Sequence, residues 1–266
     1  IRAWDQENGT SGDTIPEIDV EAPSATYSEN STSATITVTD APEVDTIERV
    51  DGTPTSAGSV DFDVTFSKEV DGVDEGDFTL SGGATGDVQE FGPTTASNTV
   101  TVTVDSISGD GDLRLDVDDD DGIRDTTNDA PLGGQGQNGT ADGSFTGGES
   151  YTIDNTPPTT VNDTENADED VTGTQLVADV RTNDDDGVSA DSDLEVTEVD
   201  GETNNVGQAV AGTEGGQFTV TADGKVTFDA DGDFESLNNG DTEQTSVEVT
   251  VADEAGNENT STVTAT

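Results

Sequence analysis

Apolar residues alternate with polar ones along most of this chain, the pattern of strands with one buried and one solvated face. The stretch VDFDVTFS places Val60, Phe62, Val64 and Phe66 at every second position. The same period recurs in NTVTVTVD and GDLRLDV, and in QFTV and KVTF, where an Asp-Gly pair predicts a hairpin. We find no helical stripe of useful length. The pattern therefore predicts an all-β protein.

Glycine-rich and proline-rich breaks divide these strands into modules. Breaks such as SGGATGD and SGDGD separate the strands at the short spacing of an antiparallel sandwich. Strand SYTI runs into DNTPPTT, where two prolines favour an extended, semi-rigid connection. We predict two tandem β-sandwiches, over residues 43–156 and 157–266, preceded by an N-terminal strand arm over residues 1–42.

The arm ends in SATITVTDAPEVD, which has the form of a closing strand although only about thirty residues precede it. This strand is a remnant of a longer repeat array, an extra edge strand on its own first module, or a strand donated to another subunit. Donation is the sharpest of the three, because proteins normally pair, cover or charge an open strand edge. The apolar anchors of a donated arm are then Ile15, Ile18, Val20, Ala34, Ile36 and Val38.

The composition indicates the environment in which the protein folds and works. The 266 residues include 61 acidic and 7 basic side chains, no histidine and no cysteine, for a formal charge of −54. Low hydrophobicity with high charge is also typical of disorder, but a disordered chain has no reason to keep a regular alternation. Concentrated salt screens such self-repulsion, so we predict a halophilic protein.

Several classes of function are excluded by the same composition. Nucleic acid binding and anionic lipid binding need clustered lysine and arginine, which this chain lacks. Without histidine or cysteine there is no Ser-His or Cys-His nucleophile and no thiolate zinc site. No apolar run of about 18 residues is present, so we predict no membrane insertion. We expect a non-enzymatic protein.

Two stretches carry a family resemblance. Residues 44–156, with SVDFDVTFSKEVDGVDEGDFTL and FTGGESYTIDNTPP, resemble the bacterial Ig-like repeats of large surface proteins and adhesins. Residues 161–266, with DEDVTGTQLVADVRTNDDDG and VTADGKVTFDADGDF, resemble cadherin-like VCBS repeats, in a version of haloarchaeal type. The resemblance implies tandem extracellular modules, often stabilised by calcium, that serve as stalks, adhesins or surface-layer parts.

Two acidic groups are candidate calcium ligands, because Ca²⁺ prefers dense oxygen donors. The first lies in GDLRLDVDDDDGIRD, whose spacing is not that of an EF-hand, and a solvated loop is the alternative there. It comprises Asp112, Asp116, Asp118, Asp120 and Asp125. In the cadherin-like interpretation a second group shares calcium across the proline hinge and stiffens the joint. It comprises Asp154, Asp163, Asp168, Glu169, Asp170, Asp184 and Asp186.

Glycans are further candidate partners, since five Asn-X-Ser/Thr sequons occur in polar, turn-like context. They are at Asn8, Asn30, Asn138, Asn162 and Asn259. We predict an extracellular, cell-surface structural protein that forms a pilus-like, head-to-tail homopolymer by donating its N-terminal strand. The alternatives are a stalk or fragment of an adhesin or surface-layer glycoprotein, or a carbohydrate-binding accessory module.

Overall fold

The computed structural model describes residues 41–89, 91, 96–118, 122–134, 143–187 and 194–266. These residues form sixteen strands and two single-turn 3₁₀ helices, Glu75–Asp77 and Thr203–Asn205. The all-β prediction is therefore confirmed. None of these residues belongs to a helix with the length and apolar character needed to cross a membrane.

The first sandwich contains eight strands. They are β1 (Val44–Arg49), β2 (Val60–Asp71), β3 (Phe78–Gly82), β4 (Thr85–Val88), β5 (Ser97–Ser108), β6 (Gly111–Val117), β7 (Arg124–Asp125) and β8 (Ser150–Ile153). One sheet has the order β1-β2-β5-β4, with β7 paired to the end of β2, and the other has the order β3-β6-β8. The predicted alternation is confirmed, because Val60, Phe62, Val64 and Phe66 are all buried between the sheets.

Tyr151 holds the start of the loop that connects β1 to β2. Its ring packs edge-on against Phe62, with 5.1 Å between ring centroids. Its hydroxyl accepts hydrogen bonds from the amides of Val50 and Asp51 and donates one to the carbonyl of Asp61. A buried tyrosine needs such partners for its polar end, and here they hold three backbone groups in place.

The second sandwich also contains eight strands. They are β9 (Asp163–Glu165), β10 (Thr174–Val177), β11 (Glu195–Val199), β12 (Ala209–Ala211), β13 (Gln217–Val220), β14 (Val226–Asp229), β15 (Thr245–Ala252) and β16 (Glu258–Ala265). The sheets have the orders β10-β14-β13-β12 and β11-β15-β16-β9. Strand β9 runs parallel to β16, whereas the other paired strands are antiparallel. The two sandwiches have separate hydrophobic cores, so tandem β-sandwiches are confirmed.

The predicted hairpin joins β13 to β14. Val220 pairs with Val226, and Phe218 pairs with Phe228, and all four residues are buried on the same face. The turn is closed by a hydrogen bond from the amide of Gly224 to the carbonyl of Thr221. Gly224 has a φ of +79°, and a Cβ there would also collide with the carboxylate of Asp179, so both the backbone conformation and the available space favour glycine.

Aspartate and threonine alternate across the solvated face of β2 and β5. The register places Asp61 opposite Thr103 and Asp63 opposite Thr101. Each threonine hydroxyl donates to the facing carboxylate over 2.6 Å. These pairs order two acidic side chains without using any of the few basic residues.

Candidate metal site

Three aspartates meet where the two sandwiches join. Asp154 follows the last residue of β8, and Asp253 follows the last residue of β15. Asp186 lies in the loop between β10 and β11. Because β8 and β15 end at the same junction, aspartates distant in sequence come together there.

Carboxylate oxygens of these three residues lie within 4.8 Å of one another. The residues are buried, with exposed fractions of 5% for Asp154, 1% for Asp186 and 7% for Asp253. Burial is the largest cause that raises the pKa of Asp154; a hydrogen bond from Thr156 opposes it, and the nearby carboxylates, Asp253 first, add to it. Like charges in a buried place disfavour ionisation unless a cation compensates them.

Among the described residues, no lysine or arginine forms an ion pair with Asp154 or Asp253. The ion pairs found there join other carboxylates, those of Glu149, Asp125, Asp116, Asp129 and Asp179. A bound metal ion is the alternative source of positive charge. Carboxylate groups without imidazole or thiolate suit a hard cation such as Ca²⁺ or Mg²⁺ rather than Zn²⁺.

Asn257 holds the junction together. Its backbone amide donates to Asp253 Oδ1 over 2.8 Å, and its side-chain Nδ2 donates to Asp253 Oδ2 over 2.8 Å. The same Nδ2 donates to the carbonyl oxygen of Asp154 over 2.9 Å. One asparagine thus orients a carboxylate of the second sandwich and binds the backbone at the end of the first.

Another contact crosses the junction near the tip of the β15–β16 hairpin. The amide and the hydroxyl of Ser56 both donate to the carbonyl of Ala255, over 3.3 Å and 3.0 Å. Ser56 follows Thr55, which bridges to Ile153 at the end of β8. The loop after β1 therefore contacts the second sandwich directly.

The other described acids of the predicted hinge group are not members of this cluster. The pKa of Asp163 is raised to about 6, first by burial and then by the charge of Asp184. Asp184 accepts a hydrogen bond from the amide of Val161 over 2.8 Å. The predicted ligands at the other end of β16 are exposed and line a cleft of about 530 Å³ whose lining includes Phe228 and Phe234; they are Asp168, Glu169 and Asp170.

The prediction thus included Asp154 and Asp186, which the structure brings together, and omitted Asp253. The omitted residue lies in VADEAGNEN, where an aspartate directly follows the buried end of a strand and precedes a turn with Gly256 at positive φ. That position, one residue after a strand that ends at the junction, is the signal that could have identified it.

In the first acidic group, two carboxylates already have partners. Asp116 pairs with Arg114 at 2.7 Å and accepts a hydrogen bond from Ser81. Asp125 accepts a hydrogen bond from the amide of Thr127 over 2.7 Å and pairs with Lys68 at 3.4 Å. The exposed members are Asp112 and Asp118. Asp120 lies outside the described residues.

Of the predicted glycosylation sites, the structure describes two. Asn162 is exposed, and its Oδ1 accepts a hydrogen bond from the amide of Thr262 over 2.9 Å. Asn259 donates its Nδ2 to the carbonyl of Pro158 over 2.8 Å. Asn8, Asn30 and Asn138 lie outside the described residues, as do the predicted arm anchors Ile15, Ile18, Val20, Ala34, Ile36 and Val38.

No protein-family model matches the sequence, and no curated protein matches it either. The resemblance to bacterial Ig-like and VCBS repeats therefore stays a prediction.

Similar solved structures are cadherin ectodomain repeats. Protocadherin gammaB7 EC3-6 has a TM-score of 0.32 and 10% identity, over 84% of this chain and 48% of that chain. Drosophila N-cadherin EC1-4 has a TM-score of 0.31 and 13% identity, over 85% and 49%. Mouse protocadherin-24 EC1-3 has a TM-score of 0.30 and 14% identity, over 85% and 70%. This chain matches about half the length of the first two, and its sandwich assignment rests on the strands and cores described above.

Proposed function

We propose that this chain is a non-enzymatic, extracellular structural protein whose two sandwiches are joined stiffly by a bound calcium ion. The buried trio of Asp154, Asp186 and Asp253 carries the proposal, because a hard cation is the simplest compensation for three buried carboxylates whose oxygens lie within 4.8 Å of one another. The resemblance of the sequence to repeats of surface proteins supports the extracellular setting.

A calcium titration tests the cation site. Thermal melting at fixed high salt, with calcium or with chelator, should show a higher midpoint in calcium. Asp253→Asn should abolish that difference, whereas Asp118→Asn, an exposed acid in the first sandwich, should retain it. Equal midpoints of the unsubstituted protein with calcium and chelator would contradict the cation site.

We propose further that the arm over residues 1–42 joins subunits head to tail into a surface filament of a halophile. The described part of each sandwich limits the ways in which a donated strand could bind, because the core residues are already buried by their own sandwich. Phe62 and Phe218, for example, are fully buried. A donated strand with anchors such as Ile36 and Val38 would then add to the edge of a sheet rather than fill a gap in a core. In the sheets that the described residues form, β3 and β4 lie at edges of the first sandwich.

Deletion of residues 1–42 tests the arm. Electron microscopy in concentrated salt should show filaments for the whole chain and dispersed particles for the truncated one. Filaments that persist without the arm would reject donation and leave the stalk of a larger adhesin or surface-layer protein. A carbohydrate-binding module is the weaker alternative, because the exposed large hydrophobic residues among those described are Val50 and Val161, and neither is aromatic.

A further inference from the structure

The connection between the sandwiches lies beside β16 and is attached to it by side chains. Pro157 and Pro158 have no backbone N–H, so a regular ladder of backbone hydrogen bonds cannot form along this part of the connection. Strand β9 begins at Asp163, which pairs with Val263, and only there does the backbone ladder start.

Side chains make the contacts that the backbone cannot make. Asn257 and Asn259 donate to the carbonyls of Asp154 and Pro158, over 2.9 Å and 2.8 Å. Further along, the hydroxyl of Thr160 donates to the carbonyl of Thr260 over 2.7 Å. The last contact is that of Asn162 Oδ1 with the amide of Thr262. The connection is therefore held at four successive points before β9 begins, three of them on β16 and one on Asn257, directly before that strand.

These contacts differ physically from a cation bridge. They join neutral amides, hydroxyls and carbonyls, so concentrated salt does not screen them as it screens exposed ion pairs. They also need no metal. The two asparagines contribute differently, because the side-chain Nδ2 of Asn257 also donates to a carboxylate of the trio, whereas that of Asn259 donates to the proline segment.

We propose that Asn257 is the positioning residue of the cation site, and that Asn257 and Asn259 together hold the two sandwiches in their bound arrangement before any cation arrives. The first part rests on the proposed function. Asn257 fixes Asp253 through both carboxylate oxygens while it binds the backbone of Asp154, so two of the three cation-binding segments are already in place. Residues that orient ligands in this way typically change metal affinity by roughly 10- to 100-fold.

Distances between spin labels can test both parts. The chain has no cysteine, so Asn98→Cys in the first sandwich and Gln208→Cys in the second give one label pair at exposed positions. With chelator, the otherwise unsubstituted chain should give a narrow distance distribution that calcium hardly changes. Asn257→Ala and Asn259→Ala should each broaden it with chelator.

Calcium affinity then separates the two asparagines. Asn257→Ala should weaken calcium binding by about tenfold or more, whereas Asn259→Ala should leave the affinity within about twofold. Asn238→Ala is a matched control, because this exposed asparagine also donates its Nδ2 to an aspartate, Asp241, over 2.9 Å, but in a loop away from the junction. It should alter neither the distances nor the affinity.

The outcomes distinguish this inference from the proposed function. A broad distribution for the unsubstituted pair with chelator would overturn the pre-formed joint, even if calcium binds. Unchanged calcium affinity in Asn257→Ala would overturn its positioning role. A chain that binds no calcium yet keeps a narrow distribution would refute the cation site and still support the side-chain attachment. If Asn257→Ala fails to fold, Asn259→Ala still tests whether these side-chain contacts hold the joint.

Discussion

The two acidic groups of this chain have similar compositions but opposite electrostatic environments. In the first sandwich, Asp116 is buried beside Arg114 and Asp125 is buried beside Lys68. At the junction, Asp154, Asp186 and Asp253 are buried beside one another. The density of acids along the sequence is higher in the first group, yet the trio forms from residues spread over about a hundred positions. Burial against like charge, rather than acid density, therefore marks the candidate cation site.

The pKa directions follow the same division. Burial raises the pKa of Asp116, but hydrogen bonds from Arg114 and Ser81 outweigh it and leave the pKa below the usual value. For Asp154, burial and neighbouring carboxylates raise the pKa above the usual value. The first carboxylate is stabilised as an anion by the chain itself, whereas the anionic form of the second is disfavoured by its surroundings and would be favoured by a nearby cation.

The largest effect on stability should come from removing the basic side chain beside a buried acid of the first group. Arg114→Ala leaves the buried Asp116 without its guanidinium, and loss of one partner of a buried pair typically costs 3–5 kcal/mol. Since Asp116 is buried, we expect Arg114→Ala to lower the free energy of unfolding of the first sandwich, measured in urea, by more than any of the changes described below. Calcium should not restore the loss. Restoration by calcium would show that Asp116 can serve as a metal ligand.

A smaller effect on stability should come from the binding of calcium at the trio. With free calcium at a hundred times its dissociation constant, binding should stabilise the folded chain by about 2.7 kcal/mol. Asp186→Asn should remove most of that gain and leave stability in chelator equal or higher, because it also removes a buried like charge. A calcium gain of full size in Asp186→Asn would contradict the assignment of this residue.

Acid should stabilise the start of the second sandwich through Asp163. Its folded pKa of about 6 lies above the usual 3.8, so the folded chain binds an extra proton between these values. The contribution is fully present below about pH 4 and is lost as the pH rises through 6. In chelator, stability should fall by about 1–2 kcal/mol from pH 4.5 to 7 on this account, and Asp163→Asn should flatten that part of the profile. Identical pH profiles for the two proteins would rule out this role.

The smallest effect should come from an exposed acid of the first group. Asp118→Asn removes the charge of an exposed side chain directly after β6. Surface changes of this kind usually alter stability by less than about 0.5 kcal/mol. Chemical unfolding with and without calcium should give that small difference in both conditions. A calcium-dependent loss would place a cation site in the first group and remove the contrast between the two groups.

The sequence predicted the strands better than it predicted which side chains lie close together in the folded chain. Residues such as Val100, Val102 and Val104 follow the period of two, so burial of one face could be inferred locally. Arg114 and Asp116 are two positions apart on β6 and thus on the same face, a local signal that also predicts their ion pair. The proximity of Asp253 to Asp154 could not be predicted in this way, because it depends on where β8 and β15 end in three dimensions.

The facing aspartates and threonines of β2 and β5 also help to specify which residues pair. If β5 slipped by two residues so that Asp105 faced Asp61, the valines would still point inward, but two carboxylates would lie directly opposite each other. The apolar face alone cannot discriminate against that slip. In a chain this acidic, repulsion on the solvated face can select the correct strand alignment during folding, so part of the negative charge encodes structure as well as solubility.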